Sequence, residues 1–259
     1  MSIHVAGHTI QLEAAGAGST LEPLFSDVWL GTELWPAARA LVHFMEQQRR
    51  EALTSAELVL ELGSGTGACG LAAAALGAQQ VVLTDKAELV PALLANIEAN
   101  GWHAGGERVV RCQELTWART LSGLPTGSDL VLCSDCLNPV YGTEHAAALA
   151  ATIHALLSRA QAQHGAQCLE ALVSQTRRGD EVAERAFFAA CDEIGLASTV
   201  LLRVHVTAAG AVVPLTEANG IDGGDAASTA EGQSGVAQTA QHHVVAIHSV
   251  TLAKSSVAK

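Results

Sequence analysis

Short apolar runs alternate with longer stretches of helical periodicity along most of the chain. The runs 58–62 and 130–133 are almost continuously apolar, as expected for parallel strands that are covered on both faces. The predicted strands are 58–62, 81–83, 108–112, 130–133, 168–173, 199–206 and 244–252. The predicted helices, in which apolar residues recur at helical spacing, are 37–49, 66–76, 91–100, 143–163 and 181–194. This alternation predicts an α/β fold with a mostly parallel sheet, helices on both of its faces and an antiparallel final strand.

Two segments outside this alternation are predicted to be a hairpin and an insertion. Near the N-terminus, apolar and polar residues alternate on both sides of Ala6 and Gly7, which predicts a short β-hairpin followed by a linker up to residue 30. Residues 216–241 are rich in Gly, Ala, Ser, Thr and Asp and contain almost no large apolar side chain. We therefore predict that they form a flexible insertion, and that residues 1–259 make one domain.

A glycine-rich loop follows the first apolar strand. The stretch 59–70 has the sequence VLELGSGTGACG and leads directly into an alanine-rich helical pattern. Glycine allows the sharp turn at the end of a strand, and its missing Cβ lets a ligand lie against the main chain. The loop therefore predicts a bound cofactor. Gly65, Gly67 and Gly70 also satisfy G-x-G-x-x-G, so a dinucleotide remains an alternative at this point.

Polar side chains follow the other central strands at their carboxyl ends. Asp85 comes twenty positions after Gly65, where a carboxylate suits ribose recognition, although it would also serve as a helix cap before Lys86. Ser134 and Asp135 follow the strand 130–133. Because open α/β sheets bind ligands at the carboxyl ends of their strands, we expect these residues to share one crevice with the glycine loop.

Composition narrows the range of partners and compartments. The chain has 259 residues, with 14 Lys and Arg against 26 Asp and Glu, and its formal net charge of -12 makes a nucleic acid an unfavourable partner. The six cysteines lack the spacing of a disulfide scaffold, which favours a reducing compartment. Cys133 and Cys136 have no further ligands to complete a metal site, so no metal is expected. The chain shows no signal-like or membrane-spanning run, so we expect it in the cytoplasm, with the nucleus as the alternative. We expect a monomer.

Six motifs, taken together, resemble a known family. The order of the predicted elements resembles the Rossmann-like, seven-stranded fold of class I S-adenosylmethionine-dependent methyltransferases. The sequence and spacing of the motifs are similar to those of the family-16 lysine methyltransferase-like group. The motifs are GTELWPAA at 31–38, VLELGSGTG at 59–67, VLTD at 82–85, NIEANG at 96–101, LTW at 115–117 and LVLCSDC at 130–136.

The resemblance implies S-adenosylmethionine as the cofactor and assigns residues to its parts. The loop residues Glu61, Gly63, Gly65 and Gly67 are implied to line the methionine portion. The ribose and adenine are assigned to Asp85, Lys86 and Trp117, and the region near the methyl group to Ser134 and Asp135. Trp35 by itself fits a core aromatic at the start of a helix better than a ligand contact, but the resemblance implies that it approaches the cofactor.

The sequence departs from the family pattern where the acceptor would enter. Protein-lysine methyltransferases of this group commonly carry D-x-x-Y after the fourth strand, whereas this chain has Asn138 three residues after Asp135 and Tyr141 three residues further on. Asp135 is predicted to bind or orient the acceptor amine, with capping of the loop as the alternative. Asn138 is predicted to hydrogen-bond an amine or amide, unless Tyr141 replaces the usual tyrosine through a shifted loop.

Methylation of a lysine side chain in another protein is therefore the favoured function. Methylation of a protein N-terminus or a small metabolite is the first alternative, because the D-x-x-Y tyrosine is missing. A non-catalytic scaffold that retains the cofactor pocket and a nicotinamide-dependent oxidoreductase are the others. Arg177 and Arg178 are expected to be a solvated pair in a loop, rather than part of the substrate groove.

Overall fold

The computed structural model describes residues 1–13, 31–102, 109–118, 121, 123–164, 169–215 and 242–253. The predicted linker after the hairpin and the predicted insertion at 216–241 lie outside the described residues. No described helix combines the length and the apolar character needed to cross a bilayer.

One sheet dominates the described part of the chain. Its strands are β3 Leu58–Leu62, β4 Gln80–Asp85, β5 Val109–Glu114, β6 Leu130–Ser134, β7 Glu170–Thr176, β8 Leu196–Thr207, β9 Val212–Pro214 and β10 His242–Leu252. The strand order is β5-β4-β3-β6-β7-β10-β8-β9. Strands β3 to β7 pair in parallel, and β10 lies antiparallel between β7 and β8. The predicted mostly parallel sheet with an antiparallel final strand is confirmed.

The short strand β9 adds an eighth strand to the predicted seven. A tight turn after β8 folds the chain back, with the Gly210 N–H donating to Thr207 O at 2.7 Å and Gly210 at φ +82. Val212–Pro214 then pairs with the end of β8. Three residues are too few to show the alternation by which strands are predicted, so this edge strand was missed.

Helices cover both faces of the sheet, as predicted. The helices are α1 Pro36–Gln48, α2 Arg50–Ser55, α3 Ala68–Leu76, α4 Val90–Ala99, α5 Gly142–His164 and α6 Val182–Glu193. One face packs against α1, α3 and α4, and the other against α5 and α6. Neighbouring strand residues divide between the faces: Val59 belongs to the first core, and Leu58 and Leu60 to the second. The central strands are therefore buried on both sides.

The N-terminal hairpin is present and is tied to the glycine loop through α4. Its strands are β1 Ser2–Val5 and β2 His8–Gln11, which pair antiparallel. The Asn96 side chain is 0% exposed; its Oδ1 accepts the Glu13 N–H at 2.8 Å and its Nδ2 donates to Thr66 O at 3.0 Å. Asn100, one turn later, exchanges hydrogen bonds with the backbone of Gln11. The amides of the NIEANG motif thus connect hairpin, helix and loop.

Candidate functional site

A cleft opens at the carboxyl ends of the central strands, where the sequence predicted one. Ten predicted site residues line it, and they come from several separate elements. They are Trp35, Glu61, Gly63, Gly65, Asp85, Lys86, Trp117, Ser134, Asp135 and Asn138. The structure therefore brings these ten residues together, whereas their roles stay predictions.

The glycine loop forms the floor of the cleft because its backbone takes a left-handed conformation. Gly63 and Gly65 have φ +61 and +52. A Cβ on Gly63 would lie 2.8 Å from Cys136 Sγ, and one on Gly65 would lie 2.9 Å from Gly31 O. Only glycine meets both the backbone angle and the space at these two positions.

Gly67 is a predicted site residue that the structure does not place on the cleft wall. It has φ +80 at the N-cap of α3, and its N–H donates to Ser64 O at 2.7 Å. A Cβ there would lie 2.9 Å from Leu83 Cδ1, in the core below the loop. Gly67 thus shapes the turn and the packing under the cleft.

Glu61 is a buried carboxyl group that faces the cleft. Its Oε2 accepts the N–H of Gly70 at 2.9 Å. Burial raises the pKa of Glu61 to about 8, because the charged form loses its hydration. With this pKa the Glu61 side chain is largely protonated at neutral pH.

Asp85 joins the end of β4 to the glycine loop. Its carboxylate accepts the Gly65 N–H at 2.7 Å and the Lys86 N–H at 2.8 Å. Burial raises the pKa of Asp85, and these two hydrogen bonds counteract that shift. The helix-capping alternative is wrong, because the next helix begins at Val90 with Leu89 as its N-cap and without a side-chain cap. The Asp85 carboxylate instead holds the glycine loop and lines the cleft, and its ribose role stays a prediction.

An aromatic wall closes one side of the cleft. The ring centroids of Trp117 and His145 are 4.4 Å apart, and those of Tyr141 and His145 are 4.7 Å apart. Lys86 Nζ lies 5.6 Å from the Tyr141 ring centroid. His145, in the first turn of α5, was not predicted as a site residue because it belongs to no motif. Its position just after the loop that follows β6 is the feature that could have indicated it.

Asn138 stands at the position of the D-x-x-Y tyrosine, and Tyr141 reaches the same cleft from three residues further on. Asn138 Oδ1 accepts the Val140 N–H at 3.1 Å and caps the 3-10 turn Pro139–Tyr141. This turn carries Tyr141 to the cleft wall, three residues later than the usual tyrosine. The shifted loop therefore supplies an aromatic ring to the cleft, while Asn138 also lines it.

Asp135 forms an ion pair with Arg178 on the other side of the cleft. Asp135 has φ +57, and its side chain is 2% exposed. Arg178 Nη1 donates to Oδ1 at 2.8 Å and Nη2 to Oδ2 at 2.9 Å. Thr176 donates its N–H to Oδ1 at 3.2 Å and its Oγ1 hydroxyl to Oδ2 at 2.8 Å.

The prediction that Arg177 and Arg178 form a solvated pair is wrong for Arg178. Its side chain is only 24% exposed and lines the cleft, and its guanidinium lies 5.5 Å from the centroid of the Trp35 ring. Arg177 instead pairs with Glu181. Adjacent residues at the end of a strand point to opposite sides, so only the second arginine reaches the site.

Ser134 contributes a polar atom that has no partner within the described part of the chain. Its Oγ is buried and makes no hydrogen bond there, although the residue lines the cleft. Buried hydroxyls are normally satisfied, so this hydroxyl is available to hydrogen-bond a ligand in the cleft. The Ser134 hydroxyl, the glycine floor, the buried carboxyl group of Glu61 and the half-buried one of Asp85 together fit a ligand with polar and cationic parts.

The strand order and the cleft define the fold of a class I methyltransferase. A solved structure from Pyrococcus horikoshii, for which an RNA methyltransferase activity has been suggested, has the same fold: it matches with a TM-score of 0.50 and 18% sequence identity, covering 89% of this chain and 91% of that one. At this identity the likeness concerns the fold alone.

Residues 26–193 match the model of the lysine methyltransferase family, and the chain belongs to this family. It is 37% identical over 126 residues to a protein N-lysine methyltransferase, METTL21A, of Danio rerio, covering 48% of this chain and 55% of that protein. It is 34% identical over 165 residues to a calmodulin-lysine N-methyltransferase of Arabidopsis thaliana, covering 62% of this chain and 50% of that protein. The chain thus spans about half the length of these relatives.

Proposed function

We propose that this chain is an S-adenosylmethionine-dependent methyltransferase that methylates a lysine side chain of a protein substrate. Membership of the lysine methyltransferase family and the names of its relatives support this proposal. The observation that carries it is the cleft, which combines the glycine floor of Gly63 and Gly65 with the carboxyl groups of Glu61 and Asp85.

The cleft residues fit the parts of S-adenosylmethionine. Asp85 retains lone pairs for ribose hydroxyls beside its two backbone hydrogen bonds. The Trp117 ring offers a face on which an adenine can stack. Glu61 suits the cationic methionine portion, and Ser134 Oγ supplies an unsatisfied donor and acceptor in the same cleft. Gly67 supports this site from below by shaping the loop.

The protein's task in the reaction is mainly alignment. Bound S-adenosylmethionine supplies a methyl group already activated on a sulfonium, so the chain must hold donor and acceptor in line. A lysine must lose a proton before its nitrogen can attack, and a partly desolvated cleft favours the neutral amine. We assign orientation of the acceptor to the Asp135 side of the cleft, with Asn138 and Tyr141 beside it.

Labelling of a cell extract tests the proposed activity. With radiolabelled S-adenosylmethionine, the wild-type chain should label a protein band, and Asp135→Ala should reduce the label at least about tenfold, because the variant leaves Arg178 without its anchor. Asp192→Ala, an exposed carboxylate at the end of α6, is the matched control and should label like wild type. Undiminished labelling by Asp135→Ala would contradict the proposed role of Asp135 in orienting the acceptor.

A second candidate is methylation of another amine, such as a protein N-terminus or a small metabolite. Asn138 favours it, because an amide stands at the position of the D-x-x-Y tyrosine. Label recovered only in small molecules, or only at protein N-termini, would select this candidate. Binding of S-adenosylhomocysteine without turnover on any extract would select a scaffold, and binding of NADH in its place would select an oxidoreductase.

We propose that the protein works in the cytoplasm, with the nucleus as the alternative. The five cysteines within the described residues are free thiols, which supports a reducing compartment. Imaging of a fluorescently tagged full chain tests this location. A nuclear signal would select the alternative, and a signal outside the cell or confined to any other organelle would contradict both.

A further inference from the structure

Asp135 has its hydrogen-bonding capacity filled by residues of this chain. A carboxylate offers about four lone-pair sites. Two donors of Thr176 and two of Arg178 occupy them. An incoming ammonium group would therefore find no unoccupied oxygen lone pair on Asp135 unless one of these bonds broke.

Arg178 has not used all of its donors. Of its five N–H groups, two of Nη1 bond to Asp135 Oδ1 and Thr176 O, and one of Nη2 bonds to Asp135 Oδ2. The Nε–H and the second Nη2–H bond to no acceptor within the described part of the chain. These two groups are parallel and share one edge of the planar guanidinium, which is the geometry that binds a carboxylate through two hydrogen bonds.

The surroundings fix this second edge in place. The ion pair with Asp135 holds one edge of the guanidinium, and the ring of Trp35 lies 5.5 Å from its centre. Among the described Lys and Arg side chains, Lys86 also lines the cleft. It lies toward the Tyr141 ring. Arg178 is therefore a rigid, preorganised cation beside Asp135 and Trp35, and little side-chain entropy is lost when it binds.

We propose that this unused edge of Arg178 binds a carboxylate in the cleft and that Asp135 acts as a positioning residue that holds Arg178. The inference rests on the proposed function, which offers two sources of such a group: the α-carboxylate of the cofactor's methionine portion, or an acidic side chain next to the target in the acceptor protein. In both cases the residue that contacts the ligand is Arg178.

The test compares Arg178→Lys with the matched control Arg177→Lys. Lysine keeps a positive charge near Asp135 but has no planar fork, whereas Arg177 pairs with Glu181 and does not line the cleft. The probes are S-adenosylhomocysteine and methylthioadenosine, which lacks the amino-acid portion, in calorimetric titrations of the full chain. Initial rates of extract labelling at several extract dilutions give an apparent KM for the acceptor.

The two sources give different results. If the cofactor supplies the carboxylate, Arg178→Lys should raise the Kd for S-adenosylhomocysteine at least about tenfold and leave that for methylthioadenosine unchanged. If the acceptor supplies it, the Kd should stay unchanged and the apparent KM should rise by a similar factor, with a smaller change in kcat. Equal behaviour of Arg178→Lys and Arg177→Lys in all three measurements overturns the proposal, as does equal weakening of both small ligands.

A second variant keeps the test decisive if Arg178→Lys does not fold. Asp135→Asn combined with Arg178→Gln removes both buried charges together, so neither is left unpaired. It should show the same loss as Arg178→Lys, in the Kd for S-adenosylhomocysteine or in the apparent KM for the acceptor according to the source of the carboxylate. A double variant with both a wild-type Kd and a wild-type apparent KM overturns the proposal. Failure of the wild-type chain to bind S-adenosylhomocysteine would instead refute the proposed function.

Discussion

Glu61 shows at the scale of one residue how the fold prepares the cleft. In the sequence it is a polar position in an apolar strand before the glycines, and the family resemblance implied that it lines the methionine portion of the cofactor. The structure buries it and raises its pKa to about 8, because the carboxylate form is desolvated. Burial of this kind depends on α3 and on the cleft walls, so no local pattern could reveal it. The fold therefore places a largely neutral carboxyl group at the cleft, and a cationic ligand beside it would favour its charged form.

This pKa makes the stability of the free protein pH-dependent. Between the ordinary pKa of 4.5 and the folded value of about 8, the native state binds more protons at Glu61 than the unfolded state. The free energy of unfolding should therefore fall as pH rises through this window. Glu61→Gln keeps an oxygen for the Gly70 N–H and should weaken this fall, so that urea unfolding at pH 5 and pH 8 differs less than in wild type.

Glu57→Gln is the matched control, because it removes an exposed carboxyl group just before β3. An identical pH-dependence of unfolding in Glu61→Gln and in this control would refute the proposed protonation of Glu61. The same variant should also bind S-adenosylhomocysteine more weakly than wild type, since a neutral amide cannot gain charge beside a cation.

At the scale of elements, the hairpin and α4 support the glycine loop. Periodicity predicted the hairpin, the strands and the helices, because burial on known faces dictates those patterns. It could not predict that Asn96 joins residue 13 to Thr66, because such a contact depends on how separate elements pack. The turn Pro139–Tyr141 is a similar case, since the capping by Asn138 that brings Tyr141 to the cleft is visible only in the fold.

Asn96→Ala tests this support. The substitution leaves the part-buried Glu13 N–H and the buried Thr66 carbonyl without their partner, which should cost about 1–3 kcal/mol of unfolding free energy. Asn100→Ala breaks more exposed hydrogen bonds to Gln11 and should cost about 0.5–1.5 kcal/mol. Urea unfolding of both variants makes the comparison, and a larger loss in Asn100→Ala would contradict the assigned role of Asn96.

For the whole molecule, the sequence predicted a mostly parallel sheet with an antiparallel final strand, helices on both faces and the cleft at the strand ends. Those features follow from apolar patterns and from the rule that parallel strands present their carboxyl ends to ligands. The pairing of Asp135 with Arg178 was not predicted, because forty-three residues and a long helix separate the two positions in the chain. The acceptor side of the cleft is therefore the part that required the structure.

The cleft's identity as an S-adenosylmethionine site is the central claim, and calorimetric titration of the full chain with S-adenosylhomocysteine tests it most directly. Gly65→Ala and Gly101→Ala form a matched pair, because both glycines have positive φ. A Cβ at Gly65 would lie 2.9 Å from Gly31 O, whereas a Cβ at Gly101 would meet no atom within 4 Å. We expect one saturable site in wild type and in Gly101→Ala, greatly weakened binding in Gly65→Ala, and no binding of NADH. Absence of S-adenosylhomocysteine binding by the wild-type chain, or equal binding by both variants, would contradict the claim.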